Sequence, residues 1–223
     1  MLGNVLVTGG AGGLGAAVVQ AVREAGGTPL VLDKSAPSTA EFELVDLADG
    51  RAAEAAVRTL AQRCGGFSGV VTAAGIDRCG TLADVPAEEW EQVVRVNLFG
   101  TAAVVRAALP YLENGRVVTV ASTLGLRAVS DATAYCASKF GVVGFTRALA
   151  AETAGRVGVT LVVPGGMRTN FFDDRTEQYR PTDFEKLNPP DRVAAAIVFA
   201  LSQPKDCEIR ELVIAHAEEP SWP

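Results

Sequence analysis

Val5-Leu6-Val7-Thr8-Gly9-Gly10-Ala11-Gly12-Gly13-Leu14-Gly15 passes from a short apolar run into a turn in which five of the seven residues from Gly9 to Gly15 are glycine. The run reads as a strand buried on both faces. Leu14 to Ala25 behind it reads as a helix stopped at Gly26-Gly27. Strand, glycine turn and helix in that order let backbone N–H groups approach a pyrophosphate, with the positive end of the helix facing it. A flexible turn without a ligand has the same composition, so the next acidic residue matters. Asp33 follows the second strand, eighteen residues past Gly15. A carboxylate there can accept hydrogen bonds from the adenosine ribose hydroxyls, and it repels a 2′-phosphate. The glycine turn offers no Arg or Lys to pair with that phosphate. NAD is therefore expected over NADP, with the adjacent Lys34 acting against the preference.

The same alternation continues along the chain. Strands are expected at Pro29–Leu32, Phe42–Val45, Gly69–Ala73, Arg116–Ala121, Val157–Val163 and Glu211–Ile214, and helices at Arg51–Arg63, Ala87–Leu112, Ala134–Thr153 and Asp191–Leu201. Apolar strands alternating with helices predict an α/β fold: a doubly wound, seven-stranded parallel sheet of Rossmann type with helices on both faces. The 223 residues, 48% of them apolar, suit one dinucleotide-binding domain spanning 1–223. Residues 170–190 break the alternation with Phe171, Phe172, Tyr179, Phe184 and three prolines, as a substrate lid or a loop would.

Charge and composition exclude several function classes. The net charge is −6 with no basic run, so neither nucleic acid nor an anionic membrane is expected as partner. Cys64, Cys79, Cys136, Cys207 and the lone His216 lack metal-ligand spacing, so no metal is expected. Met1-Leu2-Gly3-Asn4 carries no basic region of a signal peptide. No apolar stretch reaches the ~18–20 residues of a membrane span without charge or punctuation. Reduced thiols and a cytoplasmic location are expected.

Tyr135 and Lys139 stand four apart, one helical turn, in Ala134-Tyr135-Cys136-Ala137-Ser138-Lys139. A phenol with a reference pKa of about 10 must lose roughly 2–3 units, about 3–4 kcal/mol, to exchange protons near pH 7. A neighbouring ammonium favours the phenolate. Ser122 follows the fifth strand, where it can donate to a developing oxyanion or cap its own turn. Asn97 lies on the apolar stripe of Trp90, Val93, Val94, Thr101, Val104, Val105 and Ala108, either in a catalytic role or as a core amide satisfied by backbone. Asp46, at the end of the third strand, can accept from an adenine amino group or cap the helix beginning near Asp49.

Taken together these residues resemble the short-chain dehydrogenase/reductase family over nearly the whole length. Thr8-Gly9-x-x-x-Gly13-x-Gly15 matches its coenzyme turn, Asn97, Ser122, Tyr135 and Lys139 its catalytic tetrad, and Pro164-Gly165 with Thr169 its nicotinamide segment. The resemblance implies dinucleotide contacts at Gly9, Gly12, Gly13, Leu14, Gly15, Asp33, Asp46, Leu47, Ala74, Gly75, Tyr135, Lys139, Pro164, Gly165, Met167 and Thr169. It implies that Asn97 holds a water linking Lys139 to solvent, and that Lys139 lowers the Tyr135 pKa and binds the nicotinamide ribose. The chain differs from the family in two places. Asn-Asn-Ala-Gly after strand four is here Thr72-Ala73-Ala74-Gly75, so backbone or Thr72 hydroxyl bonds must substitute for the lost amides. The tail ending at Glu218-Glu219-Pro220-Ser221-Trp222-Pro223 is short.

The expected activity is hydride transfer between NAD and a secondary alcohol or ketone, with Tyr135 as general acid/base and Ser122 fixing the carbonyl oxygen. A dinucleotide-binding sensor or scaffold is the alternative, and an epimerase of the same broad fold is disfavoured by length. The substrate is expected to be a small or medium apolar-to-mixed ketone or alcohol under the lid, within reach of Leu124, Arg127, Asp77 and Arg78. A homodimer or homotetramer is expected, through Ala102, Ala103, Phe140, Val143 and Phe145 on the two helices that pair in the resembling family.

Overall fold

The computed structural model describes residues 2–112 and 114–219. Its strands are β1 (Asn4–Thr8), β2 (Thr28–Asp33), β3 (Glu41–Leu44), β4 (Gly69–Thr72), β5 (Arg116–Val120), β6 (Gly158–Pro164) and β7 (Glu211–Ile214). They form one sheet in the order β3-β2-β1-β4-β5-β6-β7, and every neighbouring pair is parallel. The expected doubly wound seven-stranded sheet is present. Its order reverses between β1 and β4, the switch point that opens a crevice at the C-terminal ends of the strands.

Successive strand residues face opposite ways, and both faces are apolar. Val5, Val7 and Val31 point to one side, where they pack with Val18, Val22 and Ile197 of α1 (Gly13–Glu24) and α6 (Pro190–Leu201). Leu6, Leu30 and Leu32 point to the other, packing with Val57, Leu60, Val104 and Val105 of α2 (Gly50–Cys64) and a later helix, α4 (Thr101–Ala108). Asp49 caps α2, accepting from the N–H groups of Arg51 and Ala52 at 3.0 Å each. The capping alternative for Asp46 is thereby overturned. Its carboxylate accepts from Ala48 N at 2.8 Å, and the residue stays exposed.

The helix expected at Ala87–Leu112 is not uniform. It runs as α3 (Ala87–Val94), one wide π turn (Arg95–Gly100), α4 and a 3-10 turn (Leu109–Tyr111). A π turn inserts an extra residue and rotates the helix beyond it, and such turns concentrate at functional sites. This one contains Asn97. A Cβ on Gly100 would lie 2.8 Å from the Leu47 carbonyl oxygen, so helix and β3–α2 loop meet where only glycine fits. The rod Ala87–Tyr111 is, among the described residues, long and apolar enough to cross a membrane by length and composition. Its apolar side (Val93, Val96, Ala103, Val104, Val105) is instead buried in the protein.

The last long helix, α5 (Thr133–Glu152), carries Val142 and Val143 into a cluster with Ala121, Leu161 and Val163. Two expected interface residues therefore serve the chain's own core, Ala103 and Val143. Phe99 and Phe140 remain exposed, at 59% and 44%. Pro220 to Pro223 of the tail lie outside the described residues.

Helix propensity alone would make Gly100→Ala stabilising by about 1 kcal/mol. The Leu47 contact reverses that sign. Urea denaturation should show Gly100→Ala less stable by about 1–3 kcal/mol, and a stabilised variant would contradict the close approach.

Candidate active site

The glycines of the β1–α1 turn divide into two kinds. At Gly9, Gly10 and Gly15 a Cβ would strike the chain itself: the Ala74 backbone at 2.9 Å, Val31 at 2.7 Å and the Gly9 carbonyl oxygen at 2.1 Å. Gly9 also has a φ of +73°. Gly12 is different, since its Cβ would meet nothing nearer than Asn170 Nδ2 at 3.9 Å. Packing does not require glycine there, and the space in front of the turn is open to a ligand. Gly12 is the N-cap of α1 and brings no side-chain cap, and the first turn holds no acidic residue. The N–H groups of Gly13, Leu14 and Gly15 open α1 in that space, as a phosphate requires. Thr169 sits opposite, its Cβ 3.6 Å from a Cβ placed on Gly13. Its hydroxyl accepts from Phe171 N at 3.3 Å.

Asp33 closes the far end of this cradle. Its carboxylate accepts from Ala11 N at 2.9 Å and from Ser35 N at 3.0 Å, which pins it beside the glycine turn. Leu47 is buried in the core against Gly100, so its side chain is committed to packing. Met167 packs on the α1–α6 side. Gly165 has a structural use of its own. The space a Cβ would take is filled by the Glu219 carboxylate at 2.7 Å, which accepts from Gly166 N at 3.0 Å. Glycine here makes room for a residue of the chain's own tail.

Asn97, Ser122, Tyr135 and Lys139 converge at the ends of β4 and β5. Lys139 is 4% exposed and donates to the Val120 carbonyl oxygen at 2.9 Å. Its ammonium lies 5.6 Å from the centre of the Tyr135 ring. Ser122 is hydrogen-bonded to the Tyr135 hydroxyl, and its oxygen also accepts from Leu124 N at 3.1 Å. Asn97 binds both ends of Ile76, accepting from its N–H and donating to its carbonyl at 2.9 Å each, and donates to Ser138 Oγ at 3.0 Å. Ser138 donates in turn to the Tyr135 carbonyl at 2.8 Å. The core-amide alternative for Asn97 describes these contacts. Gly75 keeps the space between Asn97 and Lys139 open, since a Cβ there would lie 3.5 Å from each.

Burial sets the proton affinities. It pushes the Tyr135 phenol above its ordinary value; the bond to Ser122 lowers it and the Asp77 charge raises it again. The expected acidification by Lys139 is therefore not met by the protein groups alone. Burial also brings the Lys139 ammonium down to about 8, so the lysine loses its charge before the phenol ionises.

Other residues of the site have roles that only the packed structure shows. Thr8 Oγ1 accepts from Ala74 N at 3.1 Å and steadies the strand-four loop. The Thr72 hydroxyl, expected to help there, is buried without a partner among the described residues. Ser138, one residue before Lys139, is legible only as part of the motif. Phe171 of the 170–190 segment packs on Tyr135 with ring centres 5.8 Å apart, whereas Phe184 is exposed. No cluster of three His, Cys, Asp or Glu able to hold a metal occurs among the described residues.

The short chain dehydrogenase family matches residues 3–180. The chain belongs to this family. A 3-oxoacyl-(acyl-carrier-protein) reductase from Thermotoga maritima is 30% identical over 219 residues, covering 88% of this chain and 89% of the relative. An uncharacterized oxidoreductase from Staphylococcus aureus is 29% identical over 224 residues, covering 94% and 95%. A short chain dehydrogenase from Burkholderia cenocepacia, solved with NADP, superposes with a TM-score of 0.84 at 28% identity, covering 95% and 96%. The protein is thus an oxidoreductase of the short-chain dehydrogenase family, whose structural neighbours include one with a bound nicotinamide dinucleotide.

The Lys139 environment has a consequence for stability. Between about 8 and the ordinary lysine value of 10.5 the folded chain binds fewer protons than the unfolded chain, so stability rises with pH across that window. At pH 7 the buried ammonium is a cost. Lys139→Met should be more stable than the parent at pH 7 by about 1–3 kcal/mol, with the gap narrowing towards pH 10. A variant less stable at pH 7 would contradict this.

Proposed function

We propose that the protein is an NAD-dependent dehydrogenase/ketoreductase acting on a secondary alcohol or ketone, with residues 1–223 working as one dinucleotide-binding domain and 170–190 as its lid. The observation that carries this reading is the hydrogen-bonded Ser122–Tyr135 pair, with the buried Lys139 ammonium behind it at the mouth of an open glycine cradle. Gly12, Gly13, Leu14, Gly15 and Thr169 would hold the pyrophosphate, Asp33 the adenosine ribose, Asp46 the adenine, and Tyr135 and Lys139 the nicotinamide ribose. Ala74 and Gly75 would border that ribose. Pro164, Gly165 and Met167 would back the nicotinamide. The dinucleotide supplies the two-electron chemistry, receiving or giving the hydride.

The chain's own residues handle the proton. In oxidation Tyr135 takes the hydroxyl proton as the C–H electron pair leaves the carbinol carbon with its hydrogen. In reduction Tyr135 returns a proton to the forming alkoxide. Ser122 donates to the substrate oxygen as charge develops. A bound oxidised dinucleotide would add its positive charge to that of Lys139, which is charged at neutral pH, and so lower the phenol further than Lys139 does by itself. Asn97 positions Tyr135 through Ser138 and anchors the Ile76 segment. The described cysteines are all free thiols, in keeping with a reducing cytoplasm. Phe99 and Phe140 offer the apolar face for a homodimer or a homotetramer.

NAD over NADP follows from Asp33, which meets a 2′-phosphate with like charge and is held in place by Ala11 N. The ratio of kcat/KM for NAD to that for NADP should exceed about ten and fall at least fivefold in Asp33→Asn. A parent enzyme preferring NADP tenfold would refute the assignment. Tyr135→Phe should bind NADH by fluorescence as the parent does yet lose turnover by about 10³-fold or more. Retention of half the activity would end the acid/base assignment.

A further inference from the structure

We propose that Asp77 and Arg175 read a second, neutral polar group on the substrate, so that the substrate class is a hydroxylated ketone or the corresponding diol. The inference rests on the oxidoreductase reading of Tyr135 and adds to it the chemistry of the substrate beyond its reacting carbon.

Asp77 follows β4 in the loop fixed by Asn97, and Arg175 comes from the lid. Their side chains are 4% and 18% exposed, and Arg175 Nη2 meets Asp77 Oδ2 at 2.6 Å. The guanidinium lies over both rings of an edge-on pair, with its carbon 5.2 Å from the centre of Phe171 and 4.7 Å from that of Phe172. Phe171 in turn lies against Tyr135. The pair therefore lies one ring away from Tyr135, where residues 170–190 meet the loop after β4. Cys79 Sγ donates to Asp77 Oδ2 at 3.2 Å, and Arg175 Nη1 donates to the Tyr179 carbonyl at 3.2 Å. These contacts engage one oxygen of the carboxylate and one side of the guanidinium. Asp77 Oδ1 and Arg175 Nε are buried and matched by no protein group among the described residues.

One acceptor and one donor left unmatched on a single buried ion pair constitute a chemical specification. Buried polar groups almost always have partners, and charged ones are the most expensive to leave without. A hydroxyl both donates and accepts, so it satisfies Oδ1 and Nε. A carboxylate or phosphate on the substrate suits Nε alone. It would have to displace Asp77 and leave a buried anion without its cation. A plain ketone leaves both atoms unmatched. Because Arg175 is carried by the lid and Asp77 by the sheet, a hydroxyl bound to both also fastens the lid over the substrate.

The test uses full-length protein saturated with NADH and isosteric ketone pairs. These are hydroxyacetone against 2-butanone and 2-hydroxycyclohexanone against 2-methylcyclohexanone, with acetoacetate as the anionic probe. The hydroxylated member should be preferred in kcat/KM by at least about tenfold, because the site otherwise keeps unpaired groups. Intrinsic carbonyl reactivity is the same for every enzyme variant, so the change in this ratio isolates the pair. The ratio should fall at least about fivefold in Asp77→Asn and in Arg175→Lys, with NADH fluorescence confirming that each variant is folded. Equal kcat/KM within the pairs in the parent enzyme would overturn the inference, and that outcome needs no variant to fold. So would a ratio unchanged in both variants, or a preference for acetoacetate. Turnover of 2-butanone as fast as hydroxyacetone sinks only this inference. No turnover of any ketone, with NADH bound, sinks the oxidoreductase reading and this inference with it.

Discussion

A lysine ammonium held 4% exposed, donating to the Val120 carbonyl at 2.9 Å and facing a tyrosine ring at 5.6 Å, is the constraint around which the rest is arranged. Removing an ammonium from water is costly, and the cost shows as a depressed proton affinity that the Asp77 charge offsets only in part. Here the affinity comes down to about 8, which still leaves the charge in place at neutral pH. The neighbouring phenol is driven the other way by the same burial. The two groups form a device that is incomplete in the protein alone. An oxidised dinucleotide held by these residues would add positive charge near the phenol, which is the direction that phenolate formation needs.

The fold delivers this arrangement by crossing strand order and helix register. The reversal between β1 and β4 opens the crevice. The π turn at Arg95–Gly100 then brings the Asn97 amide onto Ile76 and Ser138. Ser138 carries that placement into the backbone of Tyr135 itself. Gly100 allows the helix to lie against Leu47, and Gly75 leaves the gap between Asn97 and Lys139 unfilled. Small residues at these points are requirements of approach, and each locates the next group in the chain of contacts.

What the sequence disclosed was local. The glycine turn, Asp33, the seven strands and the spacing of Ser122, Tyr135 and Lys139 are carried by short segments whose patterns survive without tertiary information. Strand and helix ends shifted by about a residue, as at Ala73 and Ala121, which fall just beyond their strands. The π turn was hidden because it depends on Gly100 meeting a loop more than fifty positions earlier. The Asp77–Arg175 pair joins residues 98 apart, and Glu219 reaches Gly166 across 53. No periodicity announces such contacts. The direction of the Tyr135 shift is illegible in the sequence for a related reason. Spacing on a helix supplies the neighbouring cation, but only the packed structure supplies the desolvation that outweighs it.

Tyr135 should become an acid of near-neutral strength when oxidised dinucleotide and charged Lys139 act on it together. Phenolate absorbance, titrated with NAD saturating and taken as the difference between the parent protein and Tyr135→Phe, measures this directly among the three tyrosines of the chain. One ionisation is expected between about pH 6 and 8, moving up by at least about 2 units in Lys139→Met. A Tyr135 that stays protonated to about pH 10 or beyond with NAD bound would contradict it.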